Sequence, residues 1–265
     1  MVKAGYFFLI LLVCFLYHGD RCETNPNAGK GMNILCITHA DFQIPGIIES
    51  WALNAGHQLI ICRPYKGDTC LDIDFDFLII RGGPQNSLEL EKAPYLKDEI
   101  TLISRAIEQK KTVLGICLGA QLISEAFGSR CTLSPEKEVG VFPIKLTIAG
   151  TQDPLFVGFP QSFLAVHWHY YMPGEIKQTK AKRPILLATS AGCPRQIIRY
   201  APKVYGFQCH LELTLEGAKQ LINSFPEDLE PGKFVQTVDE LLKNDYTTIN
   251  TMMITILNRL AELRT

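Results

Sequence analysis

The stretch VLGICLGAQ (113–121) constrains this chain more than any other. A short apolar run of strand character enters Gly115-Ile-Cys-Leu-Gly119 and leaves it as a helical pattern. So tight a strand-to-helix turn forces the central residue into a strained backbone conformation. Glycines on both sides remove the Cβ clashes that would forbid it. A thiol at that point sits at a helix N-terminus, where the dipole and the free N–H groups favour negative charge. The pattern is that of a nucleophile elbow with Cys117 in the reactive position. Its bland alternative is a buried cysteine in an ordinary βα turn.

Around the elbow the chain alternates between the two periodicities. Strand-like runs at 33–38, 58–62, 77–80 and 112–116 are separated by helical patterns at 45–55 and 96–107, and 119–127 follows as a helix. In the second of these, Leu96, Ile100, Ile103 and Ile107 mark one face. Alternation of this kind predicts a parallel sheet covered by helices on both faces. After Gly128 the character changes: 139–147, 163–169, 185–189, 196–200 and 204–209 read as strands joined by turns, expected to form hairpins on the sheet edge. Thr214 is the expected N-cap of a helix over 214–225. The segment PEDLEPG (226–232) reads as a linker, followed by two helices. The last of these carries Ile249, Met252, Met253, Ile256, Leu257 and Leu260 on one side, a stripe for internal packing or, alternatively, for a homodimer contact. The expected organisation is a signal-like segment and polar linker at 1–31, a main domain at 32–228 and a helical extension at 229–265.

Composition narrows the class by exclusion. A net charge of -1 with mixed signs along the chain offers no basic stripe for nucleic acid. The nine cysteines include no CxxC pair, so neither a zinc knuckle nor a thioredoxin motif is expected. Cys36 and Cys62 lie in apolar strand runs, where a thiol acts as a small hydrophobe, a usage that suits a reducing compartment. The N-terminus pulls the other way. Lys3 precedes GYFFLILLVCFLY (5–17), of signal-peptide length and too short to span a membrane comfortably, yet without a clear cleavage site. A start at Met32 would give a cytosolic protein; a genuine signal over 1–22 would give an exported one. Cysteine usage tips the balance to the cytosol.

Two further segments carry chemistry. In VYGFQCHLELT (204–214), Glu212 lies two residues after His210, so both side chains project from one side of an extended segment. The carboxylate can fix the imidazole tautomer and stabilise its protonated form, as a base serving Cys117 requires. In FLIIRGGP (77–84), a strand ending in Gly-Gly-Pro can present a bare backbone N–H to a developing oxyanion. His167 and His169, at i and i+2 on a strand, have no carboxylate or cysteine at ligand spacing in sequence, so a substrate-loop role or packing is expected rather than a metal site.

GICLGAQ, LIIRGGP and FQCHLE, in this order, resemble the three signatures of class I glutamine amidotransferases. The resemblance covers residues 32–225. It is strongest to the single-domain proteins similar to the amidotransferase half of GMP synthase, near the γ-glutamyl peptidases, through HWHYYMPG (167–174) and the 192–212 segment. It implies a flavodoxin-like α/β fold with Cys117, His210 and Glu212 as catalytic triad. It further implies an oxyanion hole from the N–H groups of Gly83 and Leu118, and substrate held by Gln121, His167, Trp168, His169 and Tyr170. No cofactor is implied. Two departures stand out: Leu211 replaces the usual proline of the histidine signature, and Tyr171 stands where the family usually has an acid. The SGGxDS phosphate loop of GMP synthase is absent, so this chain cannot make GMP alone. It either supplies ammonia to a synthetase in trans or hydrolyses glutamine or γ-glutamyl compounds on its own. The rivals are a cysteine peptidase of the intracellular-protease type, disfavoured because Leu118 and not a histidine follows Cys117, and a non-catalytic domain that binds a metabolite or partner.

Overall fold

The computed structural model describes residues 31–43, 46–176 and 183–263. The signal-like segment therefore lies outside the described residues, apart from Gly31. Among the described residues no helix is long and apolar enough to cross a membrane.

Five strands form the parallel part of one sheet: β1 (Asn33–Ile37), β2 (Gln58–Cys62), β3 (Phe77–Ile80), β4 (Thr112–Ile116) and β9 (Val204–Phe207), in the order β2-β1-β3-β4-β9. Their residues alternate between two cores. Ile34, Cys36, Phe77, Ile79, Leu114 and Ile116 face one side, and Leu35, Ile37, Leu78, Ile80 and Val113 face the other. Helices α2 (Tyr95–Glu108) and α3 (Leu118–Ala126) cover the second face through Leu96, Leu102, Ile103, Leu122 and Ile123. Helix α1 (Ile47–Asn54) covers the first through Ile48 and Trp51. This is the expected flavodoxin-like arrangement. Two-sided burial explains why the strands read as unbroken apolar runs rather than alternating ones.

The remaining strands extend the sheet beyond β9 as β8 (Ile197–Ala201), β7 (Ile185–Ser190) and the long β5 (Thr132–Leu146), all antiparallel to their neighbours, and β6 (Ser162–Met172) pairs antiparallel with β5. A register shift in β5 between Leu133 and Glu138 sets Glu138 opposite His169.

A short helix α4 (Ile148–Thr151) follows β5. Helix α5 (Leu215–Ser224) begins at Thr214, whose side chain accepts from Gly217 N, as its cap position requires. The 226–232 stretch, read from sequence as a linker, is tied down instead. Pro226–Leu229 forms a 3-10 turn, Asp228 bonds to β6, and β10 (Phe234–Val235) adds in parallel to β5. After α6 (Val238–Lys243), the stripe of α7 (Tyr246–Glu262) buries Ile249, Met253, Ile256, Leu257 and Leu260 beside α1, and Trp51 Nε1 donates to Asn258 Oδ1 at 2.7 Å. The apolar stripe is thus used within the chain. Cys62, expected as a lone hydrophobe, is bonded to Cys70 in a disulfide across the loop after β2. Sequence reasoning missed the pair because the intervening turn, not the spacing, brings the two thiols together.

Candidate active site

The elbow forms as expected. Cys117 lies between β4 and α3 at φ 53, ψ -109, a left-sided conformation that costs a non-glycine residue about 1–3 kcal/mol. Cys117 N donates to Phe207 O at 2.7 Å, pinning the turn to β9. Neither flanking glycine tolerates a side chain. A Cβ on Gly115 would lie 2.4 Å from the Gly119 backbone, and one on Gly119 would lie 2.2 Å from Ile80 O.

His210 follows β9 and exchanges backbone hydrogen bonds with Val166 of β6 at 2.8 and 3.0 Å. Its Nδ1 lies 2.8 Å from Glu212 Oε1, and the guanidinium of Arg81, at the end of β3, donates to the same oxygen at 3.4 Å. Burial opposes the imidazolium, but Glu212 and the neighbouring Cys117 sulfur outweigh it and raise the His210 pKa to about 10. Burial likewise opposes the Glu212 charge, yet His210 and then Arg81 hold that carboxyl down at about 2. The pair is therefore ionic.

Gly82 sits against both reactive side chains: a Cβ there would meet Cys117 Cβ at 3.3 Å and His210 Cε1 at 3.4 Å. The Gly82-Gly83 loop is held from behind. His39 Nδ1 lies 2.7 Å from Gly82 O, its Nε2 lies 3.0 Å from Glu99 of α2, and Gln85 Nε2 donates to His39 O at 2.9 Å. Leu118 is the first residue of α3, where helix geometry leaves the N–H without an intrahelical acceptor. Its side chain lies 3.0 Å from the position of a Cβ on Gly83, so the two expected oxyanion donors are neighbours.

A cavity of about 290 Å3 opens onto these groups. Cys117, His210, Glu212, Gly83, Leu118, Gln121, Trp168, His169 and Tyr170 all line it, joined by Phe42, Tyr171, Phe225 and Asp228. Gln121 reaches the sulfur indirectly: its Nε2 donates to Gln208 Oε1 at 3.2 Å, and Gln208 Nε2 donates to Cys117 Sγ at 3.6 Å. Tyr171 accepts from Asn86 Nδ2 through its hydroxyl at 3.3 Å.

His167 is the exception among the expected substrate residues. It is fully buried away from the cavity, 3.1 Å from Gln196 Nε2 and 3.4 Å from Glu138. The structure also supplies the carboxylate that the sequence lacked near the histidines. Glu138 Oε2 lies 3.2 Å from His169 Nε2, and Cys193 is close enough that ligand atoms of the three residues fall within 4.8 Å of one another. Gln196 Nε2 reaches into the same point, 2.8 Å from Glu138 Oε2 and 3.2 Å from His169 Nε2, so the cluster is tied together by an amide. Burial pushes the Cys193 thiol up to about 11, the protonated form that a metal ligand must leave.

Arg81, Gln208, Asp228 and the His39–Glu99 pair were not picked out from sequence. One signal was present: Glu99 lies between Leu96 and Ile103 on the buried face of α2, where a charge needs a partner.

A parallel sheet carrying a cysteine elbow on its fourth strand, with a histidine–carboxylate pair from the adjoining strand, defines an α/β protein of the cysteine-elbow type. The family model for glutamine amidotransferase class-I matches residues 17–226, and the chain belongs to that family. It is 38% identical over 227 residues to the glutamine amidotransferase-like protein YfeJ of Salmonella typhimurium, covering 83% of this chain and 93% of that one. It is 32% identical over 144 residues to one subunit of the glutamine-hydrolyzing GMP synthase of Methanococcus maripaludis, covering 54% of this chain and 67% of the relative. Among solved structures, SMU.1228c superposes with a TM-score of 0.80 at 38% identity, covering 87% of this chain and all of that one.

Proposed function

We propose that this protein hydrolyses the side-chain amide of glutamine, or of a γ-glutamyl compound, through a thioester on Cys117. The observation that carries the reading is the placing of the Cys117 and His210 side chains on either side of Gly82 at the rim of one cavity. The sulfur attacks as a thiolate, which the imidazolium beside it and the N-terminus of α3 both favour. It adds to the amide carbon, and the N–H groups of Gly83 and Leu118 receive the oxyanion. Collapse breaks the C–N bond as His210 gives its proton to the leaving nitrogen, and ammonia departs. His210, now neutral, takes a proton from water. The hydroxide adds to the thioester, and collapse returns the thiolate and releases the γ-carboxylic acid. Glu212 holds the ring in one orientation and balances its charge throughout.

The test is ammonia release from glutamine by the wild-type chain beside Cys117→Ala. Release abolished by the substitution supports the reading; release that survives it removes Cys117 from the mechanism. A second reading, with γ-glutamyl peptides as substrate, is favoured by the ring-lined wall of Phe42, Trp168, Tyr171 and Phe225. It predicts amine release from γ-glutamyl dipeptides exceeding ammonia release from glutamine. Under the first reading, the relative named as one part of a two-part GMP synthase favours an ammonia-accepting synthetase in trans as partner.

A further inference from the structure

We propose that Asp228 is the anionic group that receives the substrate's α-ammonium, an assignment that rests on the hydrolase reading of the same cavity. Glutamine and γ-glutamyl compounds carry a positive charge several bonds from the amide that reacts. A cavity that selects them therefore needs a negative group at that remove from the sulfur.

Among the described residues, the cavity lining contains two carboxylates, Glu212 and Asp228. Glu212 is committed, with His210 Nδ1 at 2.8 Å and Arg81 at 3.4 Å on one oxygen. His169 also lines the cavity, but burial disfavours its charge and it stays neutral. Asp228 is different in kind. It is half-buried, and Trp168 Nε1 donates to one oxygen at 2.6 Å while the Tyr170 hydroxyl donates to the other at 2.5 Å. A carboxylate has about four lone-pair sites, so two donors fix its plane and leave room for an ammonium. The nearby Lys137 spends its ammonium on the Asp228 backbone carbonyl at 2.9 Å, not on the carboxylate.

The spacing fits. Trp168 bridges the two ends of the cavity: its carbonyl lies 4.0 Å from Cys117 Sγ, and its indole N–H meets Asp228. An extended glutamine places its α-nitrogen about 5 Å from its amide carbon. An attack distance at one end and a hydrogen bond at the other make up the rest of such a span. Tyr171 brings no charge to this wall, and Asp228 enters it from the turn just beyond the family-matched region, which ends at residue 226.

Binding separates this role from a structural one. In the Cys117→Ala chain, affinities are measured calorimetrically for glutamine and for glutaramic acid, the same molecule without its amino group. Glutamine is expected to bind at least about tenfold more tightly, the scale of one charge-assisted hydrogen bond. Asp228→Asn, which keeps the shape and an acceptor, is expected to erase that preference while leaving glutaramic acid affinity within about twofold. Equal weakening of both ligands, a preference that survives the substitution, or no binding of glutamine by the parent chain each overturns the proposal. Should Asp228→Asn fail to fold by circular dichroism, Asp228→Ser is read by the same criterion. A retained preference in a chain whose Cys117 form releases no ammonia would remove the hydrolase reading and leave Asp228 standing.

Discussion

Glu212 and Glu138 are both buried carboxylates set against histidine, 2.8 Å from His210 and 3.2 Å from His169. Their surroundings send them to different ends. Glu138 also accepts from Ser190 Oγ at 2.7 Å, Gly192 N at 3.1 Å and Gln196 Nε2 at 2.8 Å. Burial pushes its pKa up, but His167, His169 and Ser190 hold it well below the usual carboxylate range. Burial keeps His169 below its ordinary value in spite of Glu138. At the other site a single histidine takes the carboxylate, and its far edge meets a sulfur at a cavity rim. A histidine beside a glutamate is thus not yet a catalytic pair. It becomes one when the imidazole is left charged, with a free edge and a reactive neighbour.

Substitutions can break this contrast, beginning with the largest expected effect. His210→Ala is predicted to lower kcat by about 10²–10⁴-fold, measured as ammonia release, because it removes both proton transfers. Glu212→Gln keeps the ring in place but removes its counter-charge, and a loss of about 10²-fold is expected, with the pH optimum moved down as the imidazolium loses support. Glu138→Gln should sharpen the comparison from the other side. It is predicted to lower stability by about 1–3 kcal/mol in denaturant unfolding, while kcat per folded molecule stays near wild type. An equal loss of kcat there would show that the two assemblies are one unit.

The ionic pair also predicts a pH profile of stability. His210 is raised to about 10, so its contribution is complete below the unfolded value near 6.5 and is lost as pH rises toward 10. Glu212 is lowered to about 2, so its contribution is present above about 4.3 and is lost as pH falls toward 2. Melting temperature is expected to fall between pH 7 and 10 in the wild type and to fall less in His210→Asn. The smallest effect concerns Cys62–Cys70. Reducing this eight-residue link is predicted to lower stability by up to about 2.5 kcal/mol without changing activity at Cys117. An intact bond in protein taken from its native compartment would favour export over the cytosol.

The same contrast explains what the sequence revealed. Cys117 announces itself because the elbow is local, and His210 with Glu212 because two residues on one strand share a face. Glu138 is joined to His169 only by the β5–β6 register after a bulge, a pairing that no local pattern encodes. Arg81 was in plain view within the Gly-Gly-Pro segment, but its partner lies 131 residues away. Asp228 was hidden by its setting. A Pro-rich acidic stretch reads as linker, and only the docking of its turn on Trp168 and Tyr170 makes it part of a wall.

The bond between Trp51 and Asn258 bears on how the molecule is made. The partners are 207 residues apart, and at about 5–20 residues per second that separation is roughly 10–40 s of synthesis. Throughout that interval the nascent chain carries β1, β3 and β4 with one face waiting for α7, so Ile48, Trp51 and their neighbours remain bare. Acquisition of the native state must then be a late, closing event, and the interval is one in which a chaperone that shields apolar surface would have something to hold.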